Sequence, residues 1–76
     1  MIHLKKWIKK QTQIGKYSSM ENVYTDMAVE LGIGVNSIKQ WVAGQRRVGA
    51  HHVLNIEKLT NGEVTRHQLR NDLYPD

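Results

Sequence analysis

The 76-residue chain contains no cysteine. That absence excludes a disulfide framework and any thiolate metal site, and it fits a reducing cytoplasm. Proline occurs once and glycine six times, too rarely for a disordered or loop-dominated chain. No apolar run approaches the ~20 residues that cross a bilayer, so no membrane role is expected. Met1-Ile2-His3 opens no signal peptide, and a cytoplasmic protein is expected. No stretch alternates polar and apolar residues as a half-buried strand does, so the chain reads as all-α. No Ser/His/Asp order, glycine-rich phosphate loop or carboxylate pair stands out, and five short helices rarely supply a catalytic pocket. An enzyme is not expected, and no cofactor is implied. The four histidines suggest no metal site either: His51 and His52 are adjacent, and no acidic cluster accompanies them. One domain is expected over 1–76, near the small end of what folds alone, with a core that is compact or shared with a partner.

What is present is concentrated in 24–44, YTDMAVELGIGVNSIKQWVAG. It reads as a helix, a three-residue turn and a second helix. Met27, Ala28 and Leu31 recur at helical spacing and give the first helix an inward face. Ala28 is small where the second helix crosses closely. Gly32 ends the first helix, where a left-handed backbone disfavours a side chain. Ile33 plugs the turn, Ile38, Trp41 and Val42 form the buried stripe of the second helix, and Gly44 stops it. The opposite face carries Asn36, Lys39, Gln40 and Ala43. The main use of such a helix-turn-helix is to place its second helix in the major groove of DNA.

Charge is segmented along the chain. Residues 1–19 hold five lysines and no acid, and 20–31 hold three acids and no base. Residues 32–50 hold Lys39, Arg46 and Arg47 without an acid, and 51–76 hold three bases and four acids. The expected recognition helix and the loop after it are therefore a basic block, as a phosphate-contacting surface requires.

The remaining elements follow from spacing and caps. A helix is expected over 3–12, with Leu4, Trp7, Ile8 and Gln11 on one face. Lys5, Lys6, Lys9 and Lys10 lie on the other, as a solvated surface, as extra phosphate contacts or as a mobile basic arm. Residues 13–18 read as a loop. Ser18-Ser19-Met20-Glu21 matches a capping box for the next helix. After a link over 45–49, a helix is expected over 50–59 with Val53, Ile56 and Leu59 inward. His52 lies on the same inward side. Thr65-Arg66-His67-Gln68 is a second capping box, with Val64 and Leu69 as its hydrophobic staple, and opens a final helix over 66–71.

On these residues the chain resembles a family. LGIGVNSIKQWVAGQRRVGAHHVLNIEKLTNGEVTRHQLRNDLYP, with its helix-turn-helix, its Gly44-Gln45-Arg46-Arg47-Val48 loop and its tail from Asn61 to Leu73-Tyr74-Pro75, is similar to the Cro-type regulators of prophages. It is most similar to the YdaS-like group, described as Cro-like repressors or antitoxins. The resemblance covers about two thirds of the chain, roughly 24–75. It implies a lambda-repressor-like fold of about five short helices in a bacterial or phage-encoded regulator. The chain departs from the group's pattern at Tyr24, Val35 and Gly49, and 13–22 reads as an extension.

Asn36, Lys39 and Gln40 are the base-reading candidates. Asn and Gln pair bidentately with adenine, and Lys reaches guanine acceptors. Val35 is a fourth, through a thymine methyl group. Arg46 and Arg47 are the phosphate candidates, with Tyr24, Thr25 and Ser37 as lesser ones. The expected partner is an operator in double-stranded DNA, bound by a homodimer on inverted half-sites. The dimer surface is expected on the fourth helix and tail (Val64, Leu69, Leu73, Tyr74) or on the first helix. The rival expectation is a protein-interaction module, such as an antitoxin that binds a toxin or another regulator.

Overall fold

In the computed structural model, which describes residues 1–75, the first helix, α1, runs Ile2–Gln13. Leu4, Trp7, Ile8 and Gln11 are buried along one stripe, and Lys5, Lys6, Lys9 and Lys10 are exposed on the other side. Two side chains tie α1 to the far end of the chain. The Trp7 indole N–H donates to Glu63 Oε2 at 3.2 Å, and Lys10 Nζ lies 2.6 Å from Glu63 Oε1. Lys10, and then Trp7, hold the Glu63 carboxyl below its usual pKa.

The second helix, α2, spans Met20–Leu31 and buries Val23, Tyr24, Met27 and Ala28. Its start corrects the sequence reading. Ser19, not Ser18, is the N-cap, with extended backbone angles (φ −156°, ψ 161°) and an Oγ that accepts from the Asn22 N–H. Asn22 therefore occupies the third helical position, and its amide turns to the Ser18 hydroxyl at 2.6 Å. Glu21, expected to close the capping box, is released from that duty and reaches another helix.

The third helix, α3, covers Val35–Val42. Both turns that bound it use one physical device. Gly32 has φ 68° and Gly44 has φ 75°, values that a residue with a Cβ adopts only at a cost. At the first turn Ile33 N–H bonds Ala28 O and Gly32 N–H bonds Val29 O. At the second, Gln45 N–H bonds Gln40 O and Gly44 N–H bonds Trp41 O. These paired bonds satisfy the last carbonyls of each helix and turn the chain sharply. The Met1 nitrogen also donates to the Trp41 and Val42 carbonyls, at 3.0 and 2.8 Å, so α1 begins against the end of α3.

Beyond α3, Val48 is 2% exposed and anchors the connecting loop in the core. The helix expected over 50–59 opens instead as a 3₁₀ turn, Ala50–His52, before α4 runs Val53–Leu59. Thr60 is buried, and its hydroxyl accepts from the Val64 N–H at 3.2 Å while donating to the Ile56 carbonyl at 3.0 Å. The Thr65–Gln68 capping box forms in full. The last helix, α5, is nevertheless only Arg66–Leu69, shorter than the expected 66–71. Arg70 leaves helical geometry (φ −145°) and sends its guanidinium to the Val48 carbonyl and to Asp72.

The architecture is thus all-helical, with five α-helices and no strand among the described residues. Leu4, Ile8, Met27, Ile38, Val53 and Ile56 meet in one core.

Candidate nucleic-acid interface

The surface expected to meet DNA is built on α3. Its inner side is locked: Ile38 is fully buried and Trp41 is 4% exposed. Those anchors fix the rotation of a short helix, so Asn36 and Lys39 necessarily face solvent. Gln40 is half-buried at the edge of that face. Ser37, near the helix start, is half-buried as well.

The other candidates divide. Val35 is half-buried and packs against the core. Tyr24 belongs to the core with 9% exposure. Thr25 is exposed on α2, with its hydroxyl donating to the Glu21 carbonyl at 2.9 Å. Arg46 and Arg47 are exposed on the loop after α3. The structure therefore brings Asn36, Lys39, Gln40, Arg46 and Arg47 onto α3 and the loop after it, and draws Tyr24 and Val35 towards the core.

The basic block proves to be paired, which its sequence does not reveal. Lys39 Nζ lies 3.1 Å from Glu21 Oε1 and 5.8 Å from the centre of the Tyr24 ring. Arg46 Nη1 donates to Gln40 Oε1 at 3.3 Å. Arg47 Nη1 lies 3.3 Å from Asp72 Oδ2, and Asp72 also takes two bonds from Arg70, at 2.9 and 2.8 Å. Arg70, and after it Arg47, lower the Asp72 carboxyl to a pKa of about 2. Each cation of the block thus rests on an internal acceptor. Glu21 and Asp72 are the residues that sequence reasoning missed. Neither stands at helical spacing from its partner, so no local pattern signals the contact.

His52, expected on the inward side, is half-buried with its ring 5.5 Å from that of Trp41. Burial first, and the adjacent His51 second, push its pKa below the ordinary 6.5. No group of three or more potential ligands is placed to hold a metal among the described residues. No helix among them is long and apolar enough to cross a membrane. The expected dimer surface is corrected in part: Val64 and Leu69 are 1% and 7% exposed, consumed by the chain's own core. Tyr74 is half-buried against that core, whereas Leu73 and, on α4, Leu54 stay exposed.

A separate cleft of about 530 Å³ lies between α2, α4 and the loop over 14–19. Trp7, Val23 and Met27 are among its lining, with Lys16 and Tyr17 from the loop. No residue of α3 or of the basic loop lines it. The Tyr17 hydroxyl donates to Asp26 Oδ2 at 2.7 Å, which fixes the loop against α2.

Comparison with known proteins bears on this geometry. Over 47 residues the chain is 40% identical to an Escherichia coli (strain K12) protein described as "Putative transcriptional regulator YdaS". That match takes in 62% of this chain and 48% of the relative, so it spans about half the relative's length. No solved structure matches the chain significantly. Residues 23–76, from the first turn of α2 through the tail, match the profile of the family described as "Bacterial toxin YdaS". That profile covers well over half of the sequence, and the chain belongs to the YdaS family.

Proposed function

We propose that this protein is a sequence-specific DNA-binding regulator of transcription, a Cro-like repressor of prophage type acting in a bacterial cytoplasm. The observation that carries this reading is the outer side of α3. Asn36, Lys39 and Gln40 stand on a helix whose rotation is fixed by Ile38 and Trp41, with Arg46 and Arg47 directly after it. Donors and acceptors on a rigid exposed helix are what base-edge readout needs. Cations at its border are what phosphate contact needs. The described relative, a regulator of transcription by its name, supports the same reading. The reaction is occupancy, and no residue is required to act as a catalyst.

One such helix makes few base contacts. Tight binding then calls for a homodimer on inverted half-sites about one helical turn apart, ~34 Å. The operator is accordingly pseudo-palindromic, and repression follows from excluding polymerase or a competing regulator. Leu54 and Leu73, the apolar residues of α4 and the tail that remain exposed, are the candidate dimer contacts. Asn36, Lys39 and Gln40 read bases, with Val35 near them for a thymine methyl group. Arg46 and Arg47 hold phosphates, assisted by Thr25 and Ser37.

The test is selection of bound sequences from a random duplex library by the purified protein. Enrichment of an inverted repeat is expected. A flat outcome, with only salt-sensitive general binding, overturns the operator reading.

A second reading has its own support in the cleft beside the loop over 14–19. Its mixed lining, apolar at Trp7, Val23 and Met27 and charged at Lys16, Asp26, Glu30 and Lys58, suits a protein partner, and the family's description as a toxin makes such a partner relevant. Salt separates the two readings. Binding through several phosphates weakens steeply as salt rises, and binding to a cleft lined by both apolar groups and charges of both signs changes less.

A further inference from the structure

The loop that carries Arg46 and Arg47 has little backbone bonding of its own. The Arg46 N–H reaches the Gln40 carbonyl at 3.4 Å, and no backbone N–H of residues 47–49 meets another backbone group among the described residues. Two features fix the loop instead. Val48 is buried in the core, and its carbonyl accepts from Arg70 Nη1 at 2.9 Å, across 22 residues. Arg70 can hold that carbonyl because it is itself held. Its Nε and Nη2 donate to the two oxygens of Asp72 at 2.9 and 2.8 Å. Its side chain is 17% exposed, against 76% for Arg47. Arg47 rests on the same carboxylate, 3.3 Å from Asp72 Oδ2. Because Asp72 keeps both bonds to Arg70, Arg47 can leave it without orphaning the negative charge.

We infer that Arg70 is a positioning residue for DNA binding, a staple from the tail that holds the loop of Arg46 and Arg47 in the shape that meets phosphates. This rests on the DNA-binding reading above. Arg70 itself touches no DNA. With the staple in place, the loop is ordered before a duplex arrives. Without it, the free loop gains conformational freedom that binding must remove again, so affinity falls. The bound state loses the same hydrogen bonds, but only the free state recovers entropy in exchange. Phosphates are alike on every duplex, so the loss is the same for operator and non-operator DNA.

The experiment compares the duplex enriched by selection with a scrambled duplex of the same composition. Arg70→Lys keeps the charge and loses the planar fork that reaches three acceptors at once. Arg66→Lys is the control, since it disturbs a guanidinium of α5 whose partner is Glu57 on α4. Backbone order parameters of residues 46–48, from NMR relaxation, should fall in Arg70→Lys and hold in Arg66→Lys. Arg70→Lys should weaken both duplexes by about five- to thirtyfold, the factor for re-ordering the backbone of about one residue. Their ratio and the salt slope should not change, because the same phosphates are neutralised. Where Arg46→Gln and Arg47→Gln have already removed the loop cations, Arg70→Lys should have little further effect on binding.

Order parameters that hold in Arg70→Lys, or that fall without a loss of affinity, overturn the inference. So does a loss confined to one duplex, one that Arg66→Lys matches, or one that survives removal of both loop cations. The wild type offers a check that needs no variant. The Arg70 Nε–H, bonded to Asp72, should exchange with water more slowly than the Nε–H of exposed Arg46, and equal exchange also overturns the inference. Wild type that binds neither duplex overturns the DNA reading itself, and the inference with it. The order parameters need no DNA, so they separate that failure from a failure of the staple. Circular dichroism of each variant confirms that the helices are intact.

Discussion

Two regions of this small domain, α1 and the stretch from α3 into the loop after it, carry seven of its eleven lysines and arginines, and they carry them differently. On α1, Lys5, Lys6 and Lys9 are exposed and make no ion pair among the described residues, while Lys10 turns to Glu63. On α3 and its loop, Lys39, Arg46 and Arg47 each rest on an acceptor: Glu21, Gln40 and Asp72. The first arrangement is charge without direction. It raises the local potential and attracts any polyanion. The second is charge with an address, since each group is held at a known place before a ligand arrives. Phosphate contacts of either kind add affinity, but only positioned groups next to base edges add sequence choice. On the proposed reading, density of lysine along a sequence is therefore a poor guide to where bases are read.

The largest effect that bears on this contrast lies beneath it. Trp41 gives α3 its address by burying all but 4% of its surface. Trp41→Ala should cost about 3–5 kcal/mol of stability in urea unfolding. That is a large part of the ~5–15 kcal/mol a domain possesses. Sequence preference should disappear with the fold. A folded Trp41→Ala protein that still discriminates between duplexes would mean that α3 is not positioned by this anchor.

Next in size is the outer side of α3. Asn36→Ala with Gln40→Ala should leave the unfolding midpoint almost unchanged, because Asn36 is exposed and Gln40 is only half-buried. Discrimination between operator and scrambled duplex should fall by ~1–3 kcal/mol for each bidentate base pairing that the truncated side chains can no longer make. Competition binding measures it directly. Preserved discrimination would remove both residues from the base-reading surface.

The α1 lysines supply the counterpart with a smaller effect. Lys5→Gln, Lys6→Gln and Lys9→Gln together should weaken both duplexes by the same factor, leaving their ratio intact. A changed ratio would dissolve the distinction between the two helices, since it would place α1 beside base edges. The salt slope tells how many of the three touch DNA, at ~0.9 per phosphate.

Much of this could be read in the residues, for reasons that can be named. The helices were legible because Leu4, Trp7, Ile8 and Gln11, or Ile38 and Trp41, repeat at helical spacing and have no competing pattern. Gly32, Gly44 and Thr65 were legible because turns and caps are local chemistry. What escaped has equally plain causes. Ser18 and Ser19 both satisfy the rule for an N-cap, and only the backbone selects Ser19. Val64 and Leu69 fit a staple and a dimer surface alike, and burial withdraws them from the second. Tyr24 fits both an inward stripe and a phosphate contact, and it lies in the core. Arg70, at the end of α5, bonds the Val48 carbonyl 22 residues away. Asp72 reaches Arg47 across 25 residues. Contacts of that kind come from topology, and spacing does not encode them.

The smallest predicted effect is an acid limb that the paired cations should show and the unpaired lysines of α1 should not. Asp72 has an ordinary pKa of 3.8, and in the folded chain the Arg70 guanidinium, helped by Arg47, lowers it to about 2. Between these values the unfolded chain holds a proton on Asp72 that the folded chain does not. The unfolded state then binds more protons, so stability falls as pH falls. The contribution is fully present above pH 3.8 and is lost on the way down to about 2. Melting temperatures of wild type and Asp72→Asn, measured from neutral pH into this range, should start apart and converge there. Glu57 and Glu63, also lowered by their partners Arg66 and Lys10, titrate alike in both proteins and cancel from the difference. The Lys5, Lys6 and Lys9 substitutions should leave the whole limb in place, because no carboxylate among the described residues is paired with those lysines. If they flatten it as Asp72→Asn does, the α1 charges are coupled to the fold after all, and the contrast between diffuse and positioned charge fails.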